Sequence, residues 1–467
     1  MLWYNGGPGA SSLFGMLQEF GPLLLTAESY DDAHSKTGVP TPQANPYAWT
    51  RFATVCAIDS PPPMGLSYCT AEGPSAGPRS CGAWRDSSVA AANRAAYGAL
   101  VRDAFPEWTK ATPLGKPTFV VGESYAGIYV PAFVSKLMDS PVDGLALQGF
   151  AVGDGMTGCS PSDGKPPDYC VNLTNVGLFA YPNSLPGPRY DVEFFHGHSQ
   201  FSERTYRDIL NACTDAELDG EDLPLSVECA AAVARMSEEV GSFYSYQLLQ
   251  ACPSPKAVGA AHVDRHGANM ALRVRKLQRT TAGARAAHAT RVSPGDGDGG
   301  VGSPCLADAM PDWLLLEKTL AAIGAPANSS FNNVDNGIGF DYTTDQTFVG
   351  PIYKRALAKG LRVLVYEGDS DACGLETAPN EDTFVKYFDE IGLQQTRPWR
   401  PWRTLDGVAQ AGYSMGWSND QALFASVRGA GHLVPLDRPA AAYALMSGFI
   451  LDKQGVGATA TGPAELR

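Results

Sequence analysis

Residues 118–121, Thr-Phe-Val-Val, form a short β-type run that ends at Gly122. Beyond Ser124 the apolar positions Tyr125, Ile128, Tyr129, Ala132, Phe133 and Leu137 fall at three- and four-residue intervals. The pattern predicts a strand, a sharp turn and a helix. The same rhythm recurs, with strand-like runs at 2–4, 52–58, 145–152, 361–366 and 422–427. Helical spacing covers 84–105, 349–359, 384–391 and 438–450, with Pro106 and Gly360 as stops. Strands alternating with helices predict an α/β fold: a mainly parallel sheet with helices on both faces.

From about 156 to 345 the rhythm changes to many prolines, most of the cysteines and few strands. Helical spacing at 204–213 and 226–240 suggests a mostly helical cap inserted over the sheet. The expected organisation is therefore a core at 1–155, the cap at 156–345, the core resumed at 346–454 and a disordered Gly/Ala/Thr tail at 455–467. Within the cap, 262–291 is basic and 293–303 is rich in Gly and Asp. A basic run can be a nucleic-acid arm. This one lacks interleaved aromatics and lies between Cys252 and Cys305, so a solvated, proteolysis-sensitive loop is preferred, with an unspliced intron as the alternative.

A serine at a strand-to-helix turn is held out of the sheet, and Gly122 and Ala126 let neighbouring backbone approach it. Ser124 is thus a candidate nucleophile; the plainer reading is a Gly-Ser turn joining two elements. Gly6-Gly7-Pro8-Gly9, after the apolar segment at 2–4, exposes backbone N–H groups that can face an oxyanion. The donors would be the N–H groups of Gly7 and of Tyr125, the residue after the nucleophile. A serine also needs a base. Of seven histidines, His34 precedes Ser124, and His196, His198, His262, His266 and His288 lie in the proposed cap, which leaves His432 after the strand at 422–427. The acid is Asp369 or Asp371, and spacing does not separate them.

Trp3, Asn5-Gly6-Gly7-Pro8-Gly9, Ser11-Ser12, Glu19 and Gly21-Pro22 resemble the opening signature of the serine carboxypeptidase family. Gly122-Glu123-Ser124-Tyr125-Ala126-Gly127, Gly368-Asp369-Ser370-Asp371 and Gly429-Ala430-Gly431-His432-Leu433-Val434-Pro435 resemble its other signatures, in its order. The likeness covers most of the chain outside the middle and implies an α/β-hydrolase fold. It places the triad acid on Asp371 and makes Asp369 a turn residue. It also implies that Glu19 and Glu123 pair and, with Trp3, Asn5 and Gly6, form the site that grips a substrate's C-terminal carboxylate. Taken alone, Glu123 reads as a surface residue at a helix N-terminus. Two glutamates beside a bound carboxylate repel it unless one holds a proton, so activity is expected to be greatest near about pH 4 to 6.

The resemblance implies an enzyme that releases C-terminal residues from peptides and proteins, with no metal or organic cofactor. No nucleic-acid or membrane partner follows from it; a homodimer, which occurs among relatives, is allowed. The alternatives are an acyltransferase on the same scaffold and a non-catalytic binding protein. Ala10, where the family usually has cysteine, and Ala372-Cys373-Gly374 depart from the pattern. Some family members are cut into two chains in the middle region. Relatives ordinarily carry a leader and further strands before the first motif, so the first strands are expected to be missing here.

Composition narrows the setting. The chain has 467 residues, 44% hydrophobic and 18% charged, and no apolar run approaches the ~18 residues of a membrane span. A formal charge of −14 argues against nucleic acid as a general partner. Ten cysteines without a CxxC pair favour disulfides over zinc, hence a secreted or vacuolar/lysosomal protein. Proximity along the chain suggests Cys213 with Cys229 and Cys252 with Cys305. Asn172 and Asn328 head potential glycosylation sequons.

Overall fold

The computed structural model describes residues 1–26, 29, 39–111, 115–157, 187–220, 222, 224–244, 246–250, 267–269, 309–334, 340–343, 345–346, 348–372 and 377–451. At their centre is a sheet of β1 (Leu2–Tyr4), β2 (Cys56–Ala57), β3 (Lys116–Glu123), β4 (Leu145–Gly153), β5 (Arg362–Gly368), β6 (Gln395–Arg403), β7 (Gln410–Trp417) and β8 (Ala422–Val427). The spatial order is β6-β7-β8-β5-β4-β3-β1-β2. The six strands from β8 to β2 run parallel, and β6 and β7 add an antiparallel hairpin at the β8 side.

Helices follow as α1 (Asp86–Ala104), α2 (Ala126–Asp139), α3 (Arg189–Gly197), α4 (Glu203–Ala212), α5 (Val227–Val240), α6 (Gly350–Ala358), α7 (Thr377–Glu390) and α8 (Pro439–Leu451). Tyr97 of α1, Phe133 of α2, Tyr353 of α6 and Phe388 of α7 join the core on one face. Leu445 and Phe449 of α8, with Phe20 and Trp49, fill the other. Val121, Ala151, Leu364 and Leu423 are buried because the sheet is covered on both sides, and such strands read as unbroken apolar runs. α3, α4 and α5 enclose a separate small core around Phe195, Ile209 and Val233. The expected Cys213–Cys229 disulfide joins α5 to the end of α4, and a second, unforeseen one links Cys69 to Cys81. Among the described residues, no helix is long and apolar enough to cross a membrane.

Several elements differ from the pattern. Of the strand expected over 52–58, only Cys56–Ala57 pair, because Trp49–Arg51 form a 3-10 turn that Phe52 closes by donating its N–H to Trp49 O. The helix expected from residue 84 begins at Asp86, since Trp84–Arg85 pair with Tyr342–Thr343. The β6–β7 hairpin has no counterpart in the pattern. Pro398 and Pro401 interrupt β6, which tolerates them as an edge strand where a missing N–H is not needed by a neighbour. The basic residues of 262–291, the 293–303 stretch, Asn172, Cys252, Cys305, Cys373 and the 455–467 tail lie outside the described residues.

Trp49 stacks on Phe20, with centroids 4.4 Å apart, and both rings pack edge-on against Trp3. Trp49→Ala should therefore cost about 3–5 kcal/mol. The check is a lower denaturant midpoint at unchanged slope.

Candidate active site

Ser124 sits between β3 and α2 with φ of 62°, in the left-handed region that a side chain disfavours. Backbone bonds hold it there: its N–H donates to Gly153 O at 2.9 Å, and its carbonyl accepts from Gly127 N at 2.9 Å and Met156 N at 3.1 Å. The small neighbours are sterically required. A Cβ on Gly122 would lie 2.6 Å from both Ala126 Cβ and Tyr4 O, and one on Gly127 would lie 2.2 Å from Met156 O.

The loop at 5–12 lies directly on this elbow, since a Cβ on Gly6 would come within 2.4 Å of Tyr125 N. Asp59 fixes the loop by accepting from Ser11 Oγ at 2.6 Å, Ser12 N at 3.0 Å and Leu66 N at 3.0 Å. Tyr125 is fixed by its own hydroxyl, which donates to Asp86 at 2.7 Å. Asp86 also accepts from Tyr342 OH and from the N–H groups of Asp345 and Gln346, so its buried carboxylate is fully engaged.

His432 Nδ1 and Asp371 Oδ2 are 2.7 Å apart, and both side chains are buried. Asp369 does other work: its Oδ1 accepts from Gly429 N at 2.6 Å and so ties the loop after β5 to the loop after β8. The imidazole is braced by Tyr246, whose ring stacks on it with centroids 4.7 Å apart. His432 N donates to Tyr246 O at 2.7 Å, and Leu248 N donates to Ser370 O at 2.9 Å. Gln247 donates to Gly429 O and to Asp437, which in turn accepts from Gly431 N at 2.7 Å. One short segment thus clamps both loops. Burial pushes the Asp437 carboxyl up to about 6.

The opening beside Ser124 is lined by Asn5, Gly6, Gly7, Ala10, Phe14, Glu123, Tyr246, His432 and Leu433. Asn5 Nδ2 donates to Glu123 Oε1 at 2.8 Å and to Glu19 Oε1 at 3.4 Å. Its Oδ1 accepts from Trp3 Nε1 at 2.7 Å and Gly15 N at 3.0 Å. Glu123 is 2% exposed, which rules out a solvated helix-terminal residue. Glu19 and Glu123 touch. Burial raises both carboxyls, Glu19 to about 7 and Glu123 well above the usual range, where the neighbouring Glu19 charge adds to the effect, so the pair favours holding a proton. Trp3 and Glu19 do not line the opening and reach it only through Asn5 and Glu123.

The structure therefore gathers Ser124, His432, Gly6, Gly7, Asn5 and Glu123 at one opening, with Asp371, Glu19 and Trp3 directly behind. Sequence reasoning missed Asp59, Asp86, Tyr246 and Asp437. Tyr246 lies in the middle region without a motif. Asp86 carried a faint signal, an acid opening a long helix.

A mainly parallel sheet with a serine elbow after β3, and an acid and a histidine after β5 and β8, defines an α/β-hydrolase fold. The sequence model of the serine carboxypeptidase family matches residues 1–452, and the chain belongs to that family. It is 26% identical to serine carboxypeptidase-like 21 of Arabidopsis thaliana and 28% identical to the lysosomal protective protein of Mus musculus, in each case over 96% of this chain and 84% of the relative. Among solved structures it resembles Kex1, a prohormone-processing carboxypeptidase from Saccharomyces cerevisiae. The TM-score there is 0.56 at 15% identity, covering 96% of this chain and 81% of that one.

The Glu19 carboxyl binds its proton more tightly in the folded chain than at its ordinary value of 4.5, so its contribution to stability is full below about 4.5 and is lost as pH rises through about 7. The loss should be on the order of 3 kcal/mol. Melting temperature should fall over this window, and Glu19→Gln, which mimics the protonated form, should flatten the fall.

Proposed function

We propose that this chain is a serine carboxypeptidase acting on peptides with a free C-terminus. Ser124 attacks the carbonyl of the last peptide bond. With Nδ1 held by Asp371, His432 takes the serine proton on Nε2 and returns it to the leaving amine; Asp371 stabilises the imidazolium so formed. The N–H groups of Gly7 and Tyr125 receive the developing oxyanion. Water, activated by the same imidazole, then releases the acyl group from Ser124.

The observation that carries this reading is the arrangement of two unlike devices on one opening. A buried 2.7 Å imidazole–carboxylate contact and an amide bonded to a buried glutamate pair both adjoin the opening at Ser124. An esterase needs the first alone. The second suits a negatively charged terminus, because a neutral Glu123 donates to the substrate carboxylate where an ionised one repels it. Asn5 keeps Glu123 and Glu19 in register. KM for a peptide is expected to rise as pH passes about 7, where Glu19 ionises and adds a negative charge beside the terminal-carboxylate site even while Glu123 stays neutral. A similar rise is not expected for an ester without a free carboxylate.

The two disulfides among the described residues and the likeness to a lysosomal protein support a secreted or vacuolar/lysosomal location. The deciding experiment is release of the C-terminal amino acid from an N-blocked dipeptide, followed between about pH 4 and 8. Ester turnover or transfer to an alcohol without peptide cleavage would overturn the reading. Ser124→Ala and His432→Ala should each lower kcat by about 10⁶, and Asp371→Asn by about 10⁴, with the melting temperature little changed.

A further inference from the structure

Behind the proposed triad lies a second pair of acids that the mechanism above does not use. Asp154 follows β4 with φ of 42°, and neither it nor Glu367 of β5 exposes any surface. Asp154 N donates to Tyr366 O at 2.9 Å, and Asp154 Oδ1 accepts from Gly368 N at 2.8 Å. The carboxyl is thereby laid across the end of β5, at the root of the loop that carries Asp371. Its Oδ2 meets no N–H or O–H donor among the described residues, and the Asp154 carboxyl lies against that of Glu367. On the far side, a carboxyl oxygen of Asp154, one of Asp371 and a ring nitrogen of His432 all lie within 4.8 Å of one another. Among the described residues, Tyr366 and Tyr353 are further titratable groups turned toward the pair.

Two carboxylates in contact in a dry interior do not both ionise; one proton bridges them. We propose that Asp154 and Glu367 are a proton-sharing pair of positioning residues for the triad: Asp154 anchors the root of the Asp371 loop through the N–H of Gly368, and the single negative charge left on the pair raises the basicity of His432. Burial, with Glu367 and Asp371 as neighbours, lifts the Asp154 carboxyl well above its usual range, in keeping with a retained proton. The inference rests on the triad reading above.

The test is inactivation of Ser124 by a fluorophosphonate as a function of pH, because that reaction needs the imidazole but not the terminal-carboxylate site. The inflection in rate reports His432. Asp154→Asn/Glu367→Gln removes the pair's charge, and the inflection should move to lower pH by about 0.5 to 1 unit. Either single variant leaves one acid, hence one charge, and should move it less than half as far. An unmoved inflection in the folded double variant, or single shifts that simply add up to it, overturns the proposal. If the double variant does not fold, the wild type decides. Its His432 ring-proton resonances should show a second, alkaline step that either single variant lacks, and a single step in the wild type overturns the pair. A wild-type chain inert to the probe overturns the triad reading, and this proposal with it.

Discussion

Ser124 is kept at a φ of 62° by backbone bonds to Gly153, Gly127 and Met156, and the surrounding structure is arranged so that this strained turn survives. A non-glycine residue in that region costs on the order of 1–3 kcal/mol. Three hydrogen bonds at about 0.5–1.5 kcal/mol each offset it. They come from the end of β4 and the start of α2, so the nucleophile's position is a property of the sheet's centre and not of a local loop. Gly6, Gly122 and Gly127 follow from the same constraint, since each leaves room that backbone or a β-carbon already occupies.

Once the elbow is fixed, the remaining problem is how to bury many acids around it. Two solutions appear. Asp59 and Asp86 receive N–H and O–H donors on both oxygens, and each joins segments distant in sequence: Asp59 the 5–12 and 66 loops, Asp86 the Tyr125 side chain and the 342–346 segment. Glu19 meets Glu123, and Asp154 meets Glu367, and in the reading proposed above each pair shares a proton. The first arrangement is rigid at any pH at which the carboxylate is charged. The second makes geometry depend on proton supply, and one acid of each pair adjoins the proposed reacting groups: Glu123 at the opening beside Ser124, and Asp154 beside Asp371 and His432.

Much of this was legible in the sequence where the signal is local. The change from β to helical spacing at Gly122 and Ser124, and the strand and helix rhythm of the core, depend on neighbours within a few residues. The choice between Asp369 and Asp371 does not. Both follow β5 and spacing does not separate them; the family signature puts the acid on Asp371, and in the fold Asp369 spans to Gly429 while Asp371 reaches His432. Tyr246 was illegible for the same reason. Its ring and carbonyl act on a histidine 186 residues later in the chain, and nothing in its own neighbourhood marks it. The β6–β7 hairpin was hidden by its prolines, whose meaning reverses at a sheet edge. Asn5 was read as a donor to substrate, whereas its amide already bridges two glutamates and its carbonyl takes the Trp3 indole, so its first task is to hold the acids in place.

The clustering of these pairs constrains how the chain could be adapted to neutral pH. Lowering the basicity of His432 alone would not shift the proposed binding of a terminal carboxylate, because that binding depends on the glutamate pair, whose proton is held by burial and by the repulsion between its two carboxyls. Replacing Glu19 or Glu123 by an amide would free binding from pH but would also fix which way each hydrogen bond points, and Asn5 donates to both. Folding adds a third coupling, since a carboxyl that binds protons more tightly in the folded state favours the fold at low pH. Stability and the proposed substrate grip both gain from protons in this region, whereas the imidazole must be unprotonated to act as base, so acid favours the first two and opposes the third.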